Sequence, residues 1–215
     1  MTLLTLVRHG QTDWNLERRI QGTTDIPLND TGRADARAAA AALTGLRPDA
    51  IYASPLVRAR ETAHIIAGEL GLAAPAITRG LREREFGDGE GMLVADYLTR
   101  YGDWNAGVPG AETLAQVRDR ALDSLERIDR ASRRRSAPRA ESIVVVSHGG
   151  VIRALLMHVS GGTLPREGDV LRNGSVHRFV AERGTLRLLD EVPLQIVSAG
   201  VDGADDVRTA GATPA

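Results

Sequence analysis

Short apolar runs along the chain alternate with longer stretches in which apolar residues return every third or fourth position. Leu3, Leu4, Leu6 and Val7 form a run of buried-strand type over residues 3–7, and Ile143-Val144-Val145-Val146 forms a second. Ala50-Ile51-Tyr52-Ala53 reads as a short strand broken by Ser54-Pro55, and residues 76–79 as a weaker one. Residues 29–43 read as an alanine-rich helix for which Asn29 or Thr31 is the cap, and residues 57–70 as a helix that Gly71 stops. Residues 113–130 carry Leu114, Val117, Ala121, Leu125 and Ile128 on one face, the pattern of an amphipathic helix. Gly149-Gly150 opens a further helix to about residue 159, and residues 176–181 and 186–189 flank Arg183-Gly184 as a late hairpin.

Strands alternating with helices imply a mostly parallel sheet covered on both faces, a three-layer α/β/α sandwich. The pattern predicts one domain over residues 1–198 with no internal repeat. Residues of about 88–112 break the rhythm with a short helix and the loop signal Gly107-Val108-Pro109-Gly110, so they read as an insertion that caps the strand ends. Residues 132–139 read as a polar connection whose Arg133-Arg134-Arg135 run is a solvated helix end. Residues 199–215, rich in Gly, Ala, Asp and Pro, read as a loosely held tail.

Composition narrows the chemistry. The 215 residues are 42% hydrophobic and 26% charged, with a formal charge of −1, which gives no general pull toward nucleic acid or anionic membrane. All 27 basic residues are arginine, so a Schiff-base or Walker-type lysine is excluded, and any cationic phosphate contact falls to guanidinium or imidazole. Without cysteine there is no disulfide framework, thiol nucleophile or thiolate zinc site. Residues 1–7 lack a basic lead, and no apolar stretch is long enough to cross a bilayer, so a cytoplasmic protein is the expectation.

Both main apolar runs end in a histidine and glycine: Arg8-His9-Gly10 and Ser147-His148-Gly149-Gly150. Strand ends in open α/β proteins form the rim where ligands bind, so one fold can bring these two rings face to face. Along the chain follow Gln11-Thr12-Asp13-Trp14-Asn15, Gln21-Gly22, Ser54-Pro55-Leu56-Val57-Arg58-Ala59-Arg60-Glu61-Thr62, Leu81-Arg82-Glu83, Phe86-Gly87 and Glu90-Gly91.

In this order and spacing the chain resembles the histidine phosphatase superfamily, the phosphoglycerate mutase-like proteins, over residues 3–180. The resemblance implies the phosphoglycerate mutase-like fold with a short cap. It also implies phosphoryl transfer through a phosphohistidine on His9, with no metal or other cofactor. Arg8, Arg58 and His148 would clamp the phosphate, with Asn15, Gln21 and the backbone at Gly22 and Gly149 as further substrate contacts. The second nitrogen of His9 should donate to a backbone carbonyl, while repulsion from Arg8 and Arg58 keeps the ring neutral. Glu83 matches the acid–base position, with Glu85 as its competitor; Arg60 and Glu61 read as a structural pair. His64, His158 and His177 read as structural, and Trp14 as either pocket floor or core.

The implied partner is a small phosphorylated metabolite, with a homodimer compatible, and three readings stand side by side. A phosphatase is favoured, acting on sugar-phosphate or phosphoglycerate-type metabolites such as those of glucosyl-3-phosphoglycerate or α-ribazole phosphatases. A cofactor-dependent phosphoglycerate mutase is the alternative. It would need partners for a second anion, and Arg100 is the sole cation between Gly87 and Gln116. A non-catalytic phospho-ligand-binding protein is the third. Members of the family often carry an aromatic residue where Gly89 stands, so its absence implies a roomier or more mobile wall.

Overall fold

The computed structural model describes residues 1–166 and 168–189; the expected tail at 199–215 lies outside them. Its elements run β1 (Thr2–Arg8), α1 (Asp13–Leu16), α2 (Asp30–Leu43), β2 (Ala50–Ala53), α3 (Val57–Leu70), β3 (Ala76–Ile77), α4 (Val94–Tyr101), α5 (Leu114–Ser136), β4 (Ser142–Ser147), α6 (Gly149–Val159), β5 (Val176–Glu182) and β6 (Thr185–Leu188). The strands form one sheet in the order β3-β2-β4-β1-β5-β6. β3, β2, β4 and β1 are mutually parallel, and the β5–β6 hairpin adds to β1 antiparallel. The mixed edge fits a three-layer α/β sandwich that is parallel at its centre.

The central strands read as continuous apolar runs because both of their faces are buried. On one face Leu4, Leu6, Ile143 and Val145 pack with Val117, Leu125, Ile152 and Leu155 of α5 and α6. On the other, Val7, Val144 and Val146 pack with Ala39, Leu43, Ala63 and Ile66 of α2 and α3. Each such side chain stabilises the fold by about 1.5–3 kcal/mol through burial. A third, aromatic cluster joins Tyr97, Trp104 and Val108 of the cap insertion to Ile20 and Phe86 outside it.

Several boundaries follow local chemistry. Asn29, rather than Thr31, caps α2 by accepting a hydrogen bond from the Gly32 amide. Gly71 ends α3 in a left-handed conformation at φ +65°. α5 runs past residue 130 into the expected polar connection. Arg130 and Arg133 pair with Glu126 and Asp129 one turn back, and three arginines meet the carbonyl end of the helix dipole. The helix stops at Ala137, whose following proline forces extended backbone. The weak strand at 76–79 shortens to Ala76–Ile77, because the chain turns at Arg79–Leu81 and presses Gly80 against Ser124 and the Arg120 carbonyl of α5. No helix among the described residues is long and apolar enough to cross a membrane.

Candidate active site

Three neighbouring strands deliver the site. Arg8 at the end of β1 pairs in register with Ser147 at the end of β4, so His9 and His148 emerge side by side. Ser54, just past β2, bonds to β4 through its amide on the Val146 carbonyl, which brings it to the same rim. The two imidazole centroids stand 5.1 Å apart with their planes tilted by 59°, and neither ring is exposed. Close packing holds the first turn: Gly10 lies on the Gly32 backbone with no room for a Cβ, and its amide donates to Thr62 Oγ1 at 3.1 Å.

The hydrogen bonds of His9 settle its tautomer. Nδ1 lies 2.7 Å from the Gly10 carbonyl oxygen, while Arg58 Nε, always protonated, donates to Nε2 at 3.3 Å. Nε2 therefore holds the lone pair and Nδ1 the proton, the arrangement expected from the sequence. The pKa of His9 is held well below the ordinary imidazole value. Burial is the largest cause, with repulsion from Arg58 and then Arg8 behind it. Like-charge repulsion alone was the sequence expectation; desolvation outweighs it.

Arg58 also ties down the loop at residues 22–24, donating from Nη1 to the Thr24 carbonyl at 2.9 Å and from Nη2 to the Gly22 carbonyl at 2.7 Å. The Gln21 carbonyl closes the turn by accepting from the Thr24 amide, and Gly22 sits at φ +52° with the Glu90 carboxylate filling the space a side chain would need. That carboxylate accepts from the amides and hydroxyls of Thr23 and Thr24 at 2.8–3.4 Å and from the Phe86 amide at 3.2 Å. Glu90 thus links the start of the cap to the loop that steadies Arg58. The sequence reading assigned it no such task.

Arg8 is fully buried and donates through Nη1 to the Leu171 carbonyl. Asn15 forms a capping box with Thr12 at the start of α1, a short helix the hydrophobic pattern did not reveal. Its Oδ1 also lies 3.3 Å from Asn173 Nδ2, which donates to the His9 carbonyl at 2.9 Å. Asn173 is a second component missed in the sequence: it lies in a loop, outside every recognisable motif.

His148 is held differently. Its Nε2 lies 2.7 Å from Ser54 Oγ, while Nδ1 is buried and has no hydrogen-bond partner among the described residues. Burial, then the Arg58 charge, pushes its pKa well below the ordinary value. Gly149, fully enclosed, is the first residue of α6, so the helix N-terminus opens directly behind the ring. Glu83 is 1% exposed and accepts from the Gly150 amide at 3.1 Å and the Arg84 amide at 2.8 Å. A Cβ on Gly150 would stand 2.5 Å from the Glu83 carboxylate, so glycine is what lets the carboxylate reach the helix. Glu85 points elsewhere and pairs with Arg82 at 2.7 Å, which removes it as the competitor.

Two expectations are corrected. Glu61 pairs with Arg33 at 2.8 Å rather than with Arg60, because the facing helix α2 offers a charge across the groove. Gly89 leaves no roomier wall: a Cβ there would lie 2.6 Å from the Tyr97 ring, which fills the space. Trp14 is half-buried beneath the Arg19 guanidinium, 5.6 Å from the ring centroid. His64 is exposed, with Nδ1 2.8 Å from the Arg60 carbonyl of its own helix. His177 is buried in β5, and burial lowers its pKa to about 4. Among the described residues no cluster of three or more His, Asp or Glu is placed to hold a metal ion.

The family model of the histidine phosphatase superfamily (branch 1) matches residues 4–191. The chain is 41% identical to the uncharacterized phosphatase PhoE of Bacillus subtilis, covering 75% of this chain and 79% of that one. It is 35% identical to 2,3-bisphosphoglycerate-dependent phosphoglycerate mutase 2 of Gloeobacter violaceus, over 74% and 76% respectively. Among solved structures, the mycobacterial glucosyl-3-phosphoglycerate phosphatase superimposes with a TM-score of 0.77 at 27% identity, covering 89% of this chain and 98% of that one. With its paired strand-end histidines and this match over most of its length, the chain belongs to branch 1 of the histidine phosphatase superfamily.

Proposed function

We propose that the protein is a cytoplasmic, metal-independent phosphomonoester hydrolase that works through a phosphohistidine on His9 Nε2. Its proposed substrates are small sugar-phosphate or phosphoglycerate-type metabolites. The observation that carries this reading is the state of His9: buried, neutral, with Nδ1 facing the Gly10 carbonyl and its lone pair on Nε2 beside Arg58. An imidazole locked in one tautomer and kept unprotonated is a nucleophile at neutral pH.

The chemistry follows from the positions. The 3.3 Å bond from Arg58 to Nε2 is long and weak, so an arriving phosphate takes that guanidinium as its own ligand. His148 Nδ1, buried without a partner among the described residues, supplies a second contact, and Arg8 completes the clamp. The Nε2 lone pair forms the N–P bond while the P–O bond to the leaving group breaks. Glu83, protonated, gives its proton to the departing oxygen. The phosphohistidine keeps its Nδ1–H on the Gly10 carbonyl, which eases the positive charge on the ring. Glu83, now ionised, takes a proton from water; the oxygen attacks phosphorus, the P–N bond breaks and phosphate leaves.

The phosphoglycerate mutase reading keeps support from the relative of that name. Charge in the cap weighs against it. Arg100 lies over the Tyr101 ring, 5.2 Å from its centroid, while Arg82 and Arg84 are bound to Glu85, Glu112 and the carbonyls of Glu112 and Trp104. Among the described residues, Arg100 is thus the one cation of the cap left to meet a second anionic group of a substrate. The test is turnover of a phosphomonoester panel by wild type and His9→Ala, with and without chelator, with acid-quenched enzyme assayed for phosphohistidine. Turnover by the variant, or loss of activity with chelator, overturns the mechanism. Strong stimulation of phosphoglycerate exchange by 2,3-bisphosphoglycerate would restore the mutase.

A further inference from the structure

We infer that Arg120 of α5, braced by Glu112, is the positioning residue that aims the Glu83 carboxyl at the leaving oxygen. This rests on the acid–base reading of Glu83 given above. Arg120 lies on the long helix α5, and its side chain is only 14% exposed. Its guanidinium has five N–H donors, and the structure uses all five. Nη1 donates to the carbonyls of Gly80 at 2.8 Å and Arg82 at 2.6 Å, and Nη2 to that of Glu83 at 2.9 Å. The remaining donors hold Glu112, Nε to Oε1 at 2.9 Å and Nη2 to Oε2 at 2.8 Å.

The carbonyl this fork passes over, that of Leu81, accepts from Ser147 Oγ at 2.8 Å. Four successive carbonyls, from residue 80 to residue 83, are therefore fixed by side chains rooted in α5 and β4. The Glu83 carboxylate is fixed independently by the Gly150 and Arg84 amides. Gly80 permits the approach, since a side chain there would collide with Ser124 and the Arg120 carbonyl. Glu112 sits where the cap rejoins the core and also accepts from Arg82 at 3.0 Å and the Glu85 amide at 3.1 Å. Burial opposes its charge, yet the bonds from Arg120 and the Glu85 amide hold its pKa below the usual carboxylate value. The brace thus stays anionic and the fork stays oriented. Displacing a catalytic group by about 1 Å can cost roughly 10²-fold in rate, so this clamp has leverage on the chemistry.

A general acid matters most when the leaving oxygen needs a proton. The experiment compares kcat/KM for glycerol 3-phosphate, which must release an alkoxide, with p-nitrophenyl phosphate, whose phenolate departs unprotonated. Arg120→Met should lose about 10²-fold on the alkyl ester and under about 10-fold on the aryl ester. Arg120→Lys, with three donors and no planar fork, should restore part of the difference. Glu112→Gln should show the same selectivity at smaller size, and it carries the test if Arg120→Met fails to fold. Glu83→Gln is the reference and should show the largest selective loss. Equal losses on both esters in the Arg120 and Glu112 variants, or no loss, would overturn the positioning role while leaving the acid–base reading intact. Equal losses in Glu83→Gln would instead overturn the acid–base reading, and the positioning role with it.

Discussion

The ends of β1 and β4 use one device in two ways. Each places a buried histidine behind an apolar strand and in front of a glycine, and burial keeps both rings from charging. They differ in the nitrogen that is tied. At His9 the Gly10 carbonyl holds Nδ1 and leaves the Nε2 lone pair beside Arg58. At His148 the Ser54 hydroxyl holds Nε2 and leaves Nδ1 without a partner among the described residues. The tethers, more than the rings, make the difference: one ring is left with an Nε2 lone pair, the other with a buried Nδ1, which is what the proposed mechanism uses.

Deleting the ring proposed as nucleophile should break the pairing most severely. His9→Ala is expected to lose at least about 10³-fold in kcat and to form no acid-labile phosphoenzyme, read by quench-flow with a labelled ester. In wild type, kcat/KM should cross the ordinary imidazole range near pH 6.5 without a break from His9, because its pKa lies well below that. Such a break, absent from His9→Ala residual activity, would contradict the buried neutral ring.

His177 supplies a control, a buried histidine in β5 with Nε2 3.0 Å from Ser175 Oγ. Its pKa is near 4 in the fold against 6.5 when free. Above pH 6.5 it is neutral in both states and adds no pH dependence. Between 6.5 and 4 the unfolded chain takes the proton first, so stability falls with pH by roughly 3 kcal/mol from this residue, at about 1.36 kcal/mol per pH unit. Urea unfolding at pH 7.5 and 4.5 should show this loss, and His177→Gln should reduce it. An unchanged pH difference in the variant would exclude His177 as the source.

His148→Ala should lose roughly 10²-fold in kcat while still forming the phosphoenzyme slowly, since a phosphate contact rather than the nucleophile is removed. The glycines sharpen the contrast further. Gly10→Ala meets the rigid Gly32 backbone and should cost about 1–3 kcal/mol in stability. Gly150→Ala meets the end of a side chain, Glu83, and should depress kcat with a smaller change in Tm. The reverse assignment would show that the two turns had been misread. Smallest of all, Ser54→Ala frees His148 Nε2 and should cost under about 10-fold, seen chiefly as a rise in KM.

The strand ends were readable because an apolar run stopping at His-Gly is a local signal. The bounds of α3 were likewise written locally, by Pro55 ahead of it and Gly71 behind. The tasks of Asn173, Glu90 and Arg120 were not readable in the sequence, for a common reason. Each residue acts on backbone far away in sequence, Asn173 and Arg120 on carbonyls and Glu90 on amides, and such a bond leaves no mark on the residue that owns the backbone group. The Arg60–Glu61 pairing failed similarly: adjacency in sequence lost to a partner on the neighbouring helix. Gly89 could be judged only once Tyr97 was seen to occupy its space.

β1 precedes every other described strand in the sequence, yet it lies inside the sheet between β4 and β5. Its neighbours begin at Ser142 and Val176, and the bond from Asn173 to the His9 carbonyl spans 164 positions. Loops that long close slowly and late. The turn at His9 is therefore fixed only once Asn173, 164 positions further along the chain, is in place. A chain truncated before residue 173 should therefore leave that turn unsecured, with the His9 carbonyl lacking its Asn173 bond.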